Sequence, residues 1–168
     1  MSEAMKDEIS KKEYPAFKVM GYKTKVLTSN AFTEIPKMWE KAQEEGLIQK
    51  ILAQHPNNCP AGILGIASDG QWGANEEMNY IIGMTREVDT MKYQAIPVLE
   101  GMEEMSYPSA TWIVIEANGE LPSAVQNVYS TFYNEWLPNS NYEIANLPVI
   151  ESYLGDNHQE VWIAVKNK

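Results

Sequence analysis

At 168 residues the chain is long enough to bury a core and fits one domain or two closely packed halves. Its formal net charge of −10 disfavours nucleic acid, whose phosphates select Lys and Arg, and its basic residues are scattered with no cluster beyond Lys11-Lys12. No segment approaches the ~18 consecutive apolar residues of a membrane-spanning helix. The polar stretch Met1 to Glu13 lacks the apolar centre of a signal peptide, and the single cysteine, Cys59, rules out an internal disulfide, so the expected location is the reducing cytoplasm.

Residues 1–14 are expected as a flexible polar arm, with one domain over 15–168. Phe17 to Leu27 partly alternates apolar with polar, the pattern of a half-buried strand. Ser29 and Asn30 supply turn chemistry. Ile35, Met38, Trp39 and Ala42 then fall on one face of a helix whose start is placed near Pro36, because proline is tolerated in a first turn. Gly46 ends that helix, a short helical piece covers Leu47 to Ala53, and His55 to Pro60 is a loop by composition. Ala61 to Ala67 and Met78 to Thr85 are expected as an antiparallel hairpin across a loop that contains Trp72. Beyond a connector at Glu87 to Pro97, Val98 to Met105 and Ala110 to Glu116 are strands, and Asn118-Gly119 is a turn. A long helix follows, with Leu121, Val125, Val128, Tyr129, Phe132 and Trp136 on its core face, ended by Pro138 to Asn141. Val149 to Leu154 and Val161 to Val165 are the last two strands.

The order strand, helix, strand, strand occurs twice, in half-repeats at about 16–90 and 98–167. Glu34-Ile35-Pro36 and Glu120-Leu121-Pro122 lie 86 positions apart, and the same shift carries Ile63-Leu64-Gly65 onto Val149-Ile150-Glu151. The fold class is therefore α+β: duplicated β-α-β-β units with antiparallel sheets, related by a pseudo-two-fold, with a cleft between the halves where ligands commonly bind.

Five Trp and nine Tyr are a heavy aromatic load, and such rings line pockets as well as cores. Glu151 stands out because it interrupts an apolar strand. Strand alternation groups it with Val149 and Tyr153, while Glu160, Trp162 and Ala164 share a face of the neighbouring strand, so two glutamates and two large aromatics can meet there. Glu151 either faces water on the open side of a sheet or lies in a pocket. In a pocket it has a raised pKa unless it is paired, and attracts a cation that aromatic walls also favour. Trp112, Trp72, Tyr80 and Tyr133 are further candidate walls, Trp72 as a lid. Trp39 and Trp136 are assigned to helix packing. No metal or cofactor is expected: His55, His158 and Cys59 are too few for a metal site, and there is no phosphate loop or nucleophile elbow.

The run Phe132-Tyr133-Asn134-Glu135-Trp136-Leu137-Pro138-Asn139-Ser140-Asn141-Tyr142-Glu143 resembles the helix-to-loop segment of GyrI-like domains. Leu147-Pro148-Val149-Ile150-Glu151-Ser152-Tyr153 resembles the Pro-x-x-Glu-x-Tyr segment that follows it, and Glu160-Val161-Trp162-Ile163-Ala164-Val165 resembles the acidic–aromatic final strand. The family includes the effector-binding domains of AraC-type and multidrug-sensing transcription regulators. The resemblance runs from about Phe17 to the C-terminus. It implies a central ligand cleft in which the glutamate matching Glu151 meets cationic, lipophilic ligands, with Tyr153, Glu160 and Trp162 lining the same pocket. With no room for a helix-turn-helix before Phe17, the expected form stands alone and does not itself bind DNA.

The leading expectation is a small-molecule-binding protein for a hydrophobic, cationic organic ligand, as a monomer or dimer, for sensing or sequestration. An alternative is a hydrolase of strained electrophiles with Glu151 as general base. A second alternative is an acidic, protein-binding inhibitor.

Overall fold

The apolar alternation builds a single antiparallel sheet with helices on one of its faces. In the computed structural model the described residues are 9–54, 60–68, 77–88, 96–120, 123–155 and 157–168. They form strands β1 (Ile9–Tyr14), β2 (Phe17–Leu27), β3 (Ile63–Ser68), β4 (Glu77–Val88), β5 (Glu103–Tyr107), β6 (Ala110–Asn118), β7 (Tyr142–Ile144), β8 (Ile150–Gly155) and β9 (His158–Asn167). The helices are α1 (Ala31–Glu44), α2 (Leu47–Leu52) and α3 (Ser123–Thr131). The strand order is β1-β6-β9-β8-β3-β4-β2-β5, with β7 also paired to β9. Read outward from the central β8–β3 pair, the two sides match: β8, β9, β6 and a borrowed edge strand on one, β3, β4, β2 and a borrowed edge strand on the other.

Those edge strands are exchanged. β1 precedes β2 in sequence yet pairs with β6, and β5 precedes β6 yet pairs with β2. This corrects the expectation of a flexible arm over 1–14: residues 9–14 are a sheet strand, and 1–8 lie outside the described residues. Lys11, Lys12 and Glu13 give no apolar alternation because β1 is an edge, where charged side chains are common. The expected α+β class with antiparallel strands is what the chain adopts, and β3 and β8 join the two halves into one sheet.

One face of the sheet is sealed by the sheet itself. Phe17, Leu64, Ile66, Tyr107, Trp112, Val114, Ile150 and Trp162 form its core. The sheet curls enough to bring strands from both ends together, with Phe17 stacked on Tyr107 at 4.8 Å and Tyr107 edge-on to Trp112 at 5.5 Å. On the other face, α3 packs Val125, Val128 and Phe132 onto Ile113, Ile115, Val161 and Ile163 of β6 and β9. Helices α1 and α2 cover β2 and β4 through Ala42, Ile51, Met20, Ile82 and Met84. The central strands β3 and β8 run between these two helical layers.

Two helix boundaries differ from expectation for local reasons. α1 starts at Ala31, directly after a 3-10 turn at Thr28–Asn30, so Pro36 lies inside the helix with its ring on the exposed side. α3 does not continue regularly to Trp136: it widens into a π turn at Phe132–Trp136 and a 3-10 turn at Leu137–Asn139. Pi turns mark places where an α-helix accommodates an extra residue, frequently beside functional sites. β5 begins at Glu103, later than Val98, because Gly101 takes a left-handed turn at φ 84° just before it.

Candidate functional site

Glu151 lies on β8 on the helix-covered face, in register with Gly65 of β3. Gly65 and Glu151 are also the residues brought together by the 86-position shift, so the central strand pair places them on the local two-fold. Gly65 has a steric reason to be glycine. A Cβ there would run into the Tyr80 hydroxyl and come within 3.1 Å of the Trp39 ring. Beside the carboxylate, the place of the missing Gly65 side chain is thus taken by the Tyr80 hydroxyl and the edge of the Trp39 ring.

Both carboxylate oxygens accept phenol hydrogen bonds. Tyr129 of α3 donates to Oε2 at 2.9 Å, and Tyr153, two residues along β8, donates to Oε1 at 2.5 Å. Among the described residues, no Lys, Arg or His pairs with Glu151; those two phenols are its hydrogen-bond partners. The residue keeps partial exposure while its carboxyl is largely buried. Burial raises the Glu151 pKa above its ordinary value, and the Tyr153 and Tyr129 hydrogen bonds hold part of that rise back by favouring the charged form. Burial likewise pushes the phenols of Tyr80, Tyr129 and Tyr153 up, and the neighbouring Glu151 charge adds to it, so all three are hydrogen-bond donors at neutral pH.

The walls come from both halves. From α1, Trp39 donates its Nε1–H to the Tyr80 hydroxyl at 2.9 Å and meets Tyr153 edge-on, centroids 5.2 Å apart. From α3, Tyr129 is stacked with Tyr133 at 6.3 Å with the planes 11° apart. Tyr133 is 41% exposed, so this stack runs from the carboxylate to solvent. It follows from the i, i+4 spacing at the end of α3.

Of the sequence-derived candidates, the structure brings together Glu151, Tyr153, Tyr80 and Tyr133. Trp112, Trp162 and Glu160 are elsewhere, and the expectation that they share a pocket with Glu151 is corrected. The strand register sets Glu151 opposite Val161, and Ser152 opposite Glu160, so Glu160 and Trp162 point through the sheet to the other side. There Trp162 and Trp112 are fully buried, edge-on at 5.9 Å. Glu160 accepts the Trp162 Nε1–H at 3.2 Å, and the Lys12 ammonium lies 5.3 Å from the Trp162 ring centre. Trp72 lies outside the described residues.

Three contributors were not singled out from sequence. Trp39 and Tyr129 fall on helix core faces by periodicity, which does not tell a residue lying over aliphatic strands from one lying over a carboxylate. Gly65 had a usable signal: an isolated glycine in an apolar strand marks a close approach.

The chain matches the family described as GyrI-like small molecule binding domain over residues 7–166. Among solved structures it is similar to SAV2435 bound to tetraphenylphosphonium, at 23% identity and a TM-score of 0.74, covering 95% of this chain and 94% of that one. It is similar to a putative transcription regulation protein from Staphylococcus aureus, at 23% identity and a TM-score of 0.71, with 95% and 99% covered. The C-terminal domain of EcmrR follows at 17% identity and a TM-score of 0.57, with 95% and 98% covered. At these identities the likeness is one of fold. Comparison with curated proteins returns no match.

Proposed function

We propose that this chain, which belongs to the GyrI-like small molecule binding domain family, binds a hydrophobic organic cation in the cleft over Glu151, for sensing or sequestration. The observation that carries this reading is a buried carboxylate held by two phenols and, among the described residues, by no cationic side chain. The chain invests burial in a negative charge and supplies only neutral donors to it, which leaves room for a positive charge from a ligand. Trp39, Tyr80, Tyr129, Tyr133 and Tyr153 present ring faces and edges around that charge, and rings attract cations by roughly 0.5–2 kcal/mol each where water is excluded.

A cation without N–H groups suits the site, because the phenols already supply hydrogen bonds to both carboxylate oxygens and need not be displaced. The tetraphenylphosphonium bound to SAV2435 has this chemistry, and a shared fold makes it a sensible first probe. The test is calorimetric titration of tetraphenylphosphonium into wild type and Glu151→Gln. Saturable binding that weakens strongly in the variant supports the reading, and equal binding to both sinks it. Incubating a strained electrophile with wild type and Glu151→Gln separates binding from hydrolysis: turnover by wild type that the variant loses supports the general-base alternative.

A further inference from the structure

Close around Glu151, Trp39, Tyr80, Tyr129 and Tyr153 contribute four polar hydrogens, with the Tyr133 hydroxyl farther out toward solvent. Three of those four are committed: the Trp39 indole donates to Tyr80, and the Tyr129 and Tyr153 hydroxyls donate to Glu151. The fourth belongs to Tyr80. Its oxygen accepts from Trp39, but its own proton meets no acceptor among the described residues. Tyr80 is only 4% exposed, so bulk water does not serve it. Buried donors are rarely left unmatched, and one set beside a partly exposed carboxylate is a natural reader of ligand chemistry.

The position of this hydroxyl sharpens the point. It stands against Gly65, where a side chain would otherwise be. Gly65 is the direct neighbour of Glu151 across the β3–β8 pair, and residues so paired lie ~5 Å apart. The free donor and the carboxylate therefore overlook neighbouring points of one small floor.

Building on the cation-binding reading above, we propose that the natural ligand carries a hydrogen-bond acceptor, such as a carbonyl oxygen, a few bonds from its cationic centre. Glu151 faces the charge and the Tyr80 hydroxyl donates to the acceptor. A purely hydrocarbon cation fills the aromatic walls yet leaves this donor unmatched, so Tyr80 sorts ligands that charge and size do not.

The test uses two quaternary cations of nearly the same shape, phenacyltrimethylammonium and (2-phenylallyl)trimethylammonium, which differ by C=O against C=CH2. Their affinities are measured by calorimetry for wild type and Tyr80→Phe. Any loosening of the fold affects both ligands alike, and the double variant Trp39→Phe/Tyr80→Phe removes the indole N–H that the single variant frees, so the ratio of affinities isolates the hydroxyl. The ketone-to-alkene ratio is expected to fall about three- to tenfold in the double variant, the range of one neutral hydrogen bond. A second measurement compares the bound states: the infrared stretch of the bound 13C-labelled ketone lies at lower frequency in wild type than in the double variant if the hydroxyl meets it. A ratio unchanged by removal of the hydroxyl, or a bound carbonyl stretch that is the same with and without it, overturns the assignment while leaving cation binding intact. If neither compound binds wild type, the cation-binding reading falls and this inference with it.

Discussion

Replacing Glu151 by Gln removes the charge of the proposed site while leaving the size of the side chain almost untouched. Its effect is calculable. A tetrahedral cation with four phenyl groups brings its central atom to ~6 Å from a carboxylate oxygen. At an effective dielectric constant of about 20–40, suited to a partly exposed site, the attraction is roughly 1.5–3 kcal/mol. Its loss weakens tetraphenylphosphonium binding about 10- to 150-fold. Tetraphenylborate is nearly the same shape with the opposite charge, so it provides a sign test. Wild type is expected to bind the phosphonium and reject the borate, and Glu151→Gln to narrow that preference from both sides. Calorimetry measures each affinity, and the ligand-induced rise in melting temperature checks them independently. A variant that binds the phosphonium as tightly as wild type, or a wild type that prefers the borate, would falsify the role given to Glu151.

Three further outcomes are expected. Because burial raises the Glu151 pKa above the ordinary 4.5, the folded state holds a proton that the unfolded state releases. Stability therefore falls as pH rises from about 4.5 through the raised folded value and then levels off, and urea titrations of Glu151→Gln should lack that slope. Affinity for a permanently charged cation rises over the same window, as the carboxylate ionises. Gly65→Ala forces a methyl group against Trp39 and the Tyr80 hydroxyl, so it is expected to cost about 1–3 kcal/mol in denaturant unfolding and to weaken ligand binding as well. Trp162→Phe, by contrast, opens space in the core on the opposite face. It is expected to lower the melting temperature while the affinity ratio of phosphonium to borate stays at its wild-type value.

The elements with one clearly buried face were the legible ones. β2, β6 and β9 announce themselves because packing on a sheet face imposes a two-residue rhythm. Glu151 could be picked out as a charge set in such a rhythm. Alternation divides a strand into two faces, however, and does not say which face of the next strand joins them. That depends on the pairing of Glu151 with Val161 and of Ser152 with Glu160, a long-range fact that put Trp162 and Glu160 through the sheet. β1 was illegible for a related reason. Its polar residues have no local preference that outweighs the pull of a partner about a hundred positions away, and only Ile9, Lys12 and Tyr14 are half-buried in return. Tyr129 and Trp39 obey helical periodicity, and their distinguishing feature, a carboxylate and a phenol across the gap, is absent from their own segments.

The exchange of β1 and β5 between the two ends of the sheet gives the fold the wiring of a swapped dimer drawn in one chain. Two identical subunits wired this way would have to place the same residue on both sides of the axis. Two glutamates there would stand about 5 Å apart and repel, and one would keep its proton. Two glycines would leave no charge at all. Joining the halves covalently lifts that constraint: position 151 carries the carboxylate, and position 65, lacking a side chain, admits the Tyr80 hydroxyl and the Trp39 ring beside it. The asymmetry that a monovalent guest requires is thus available to a single polypeptide and denied to any symmetric pair. Cutting the chain between its halves and recombining the fragments would still preserve it, since each fragment keeps its own member of the pair.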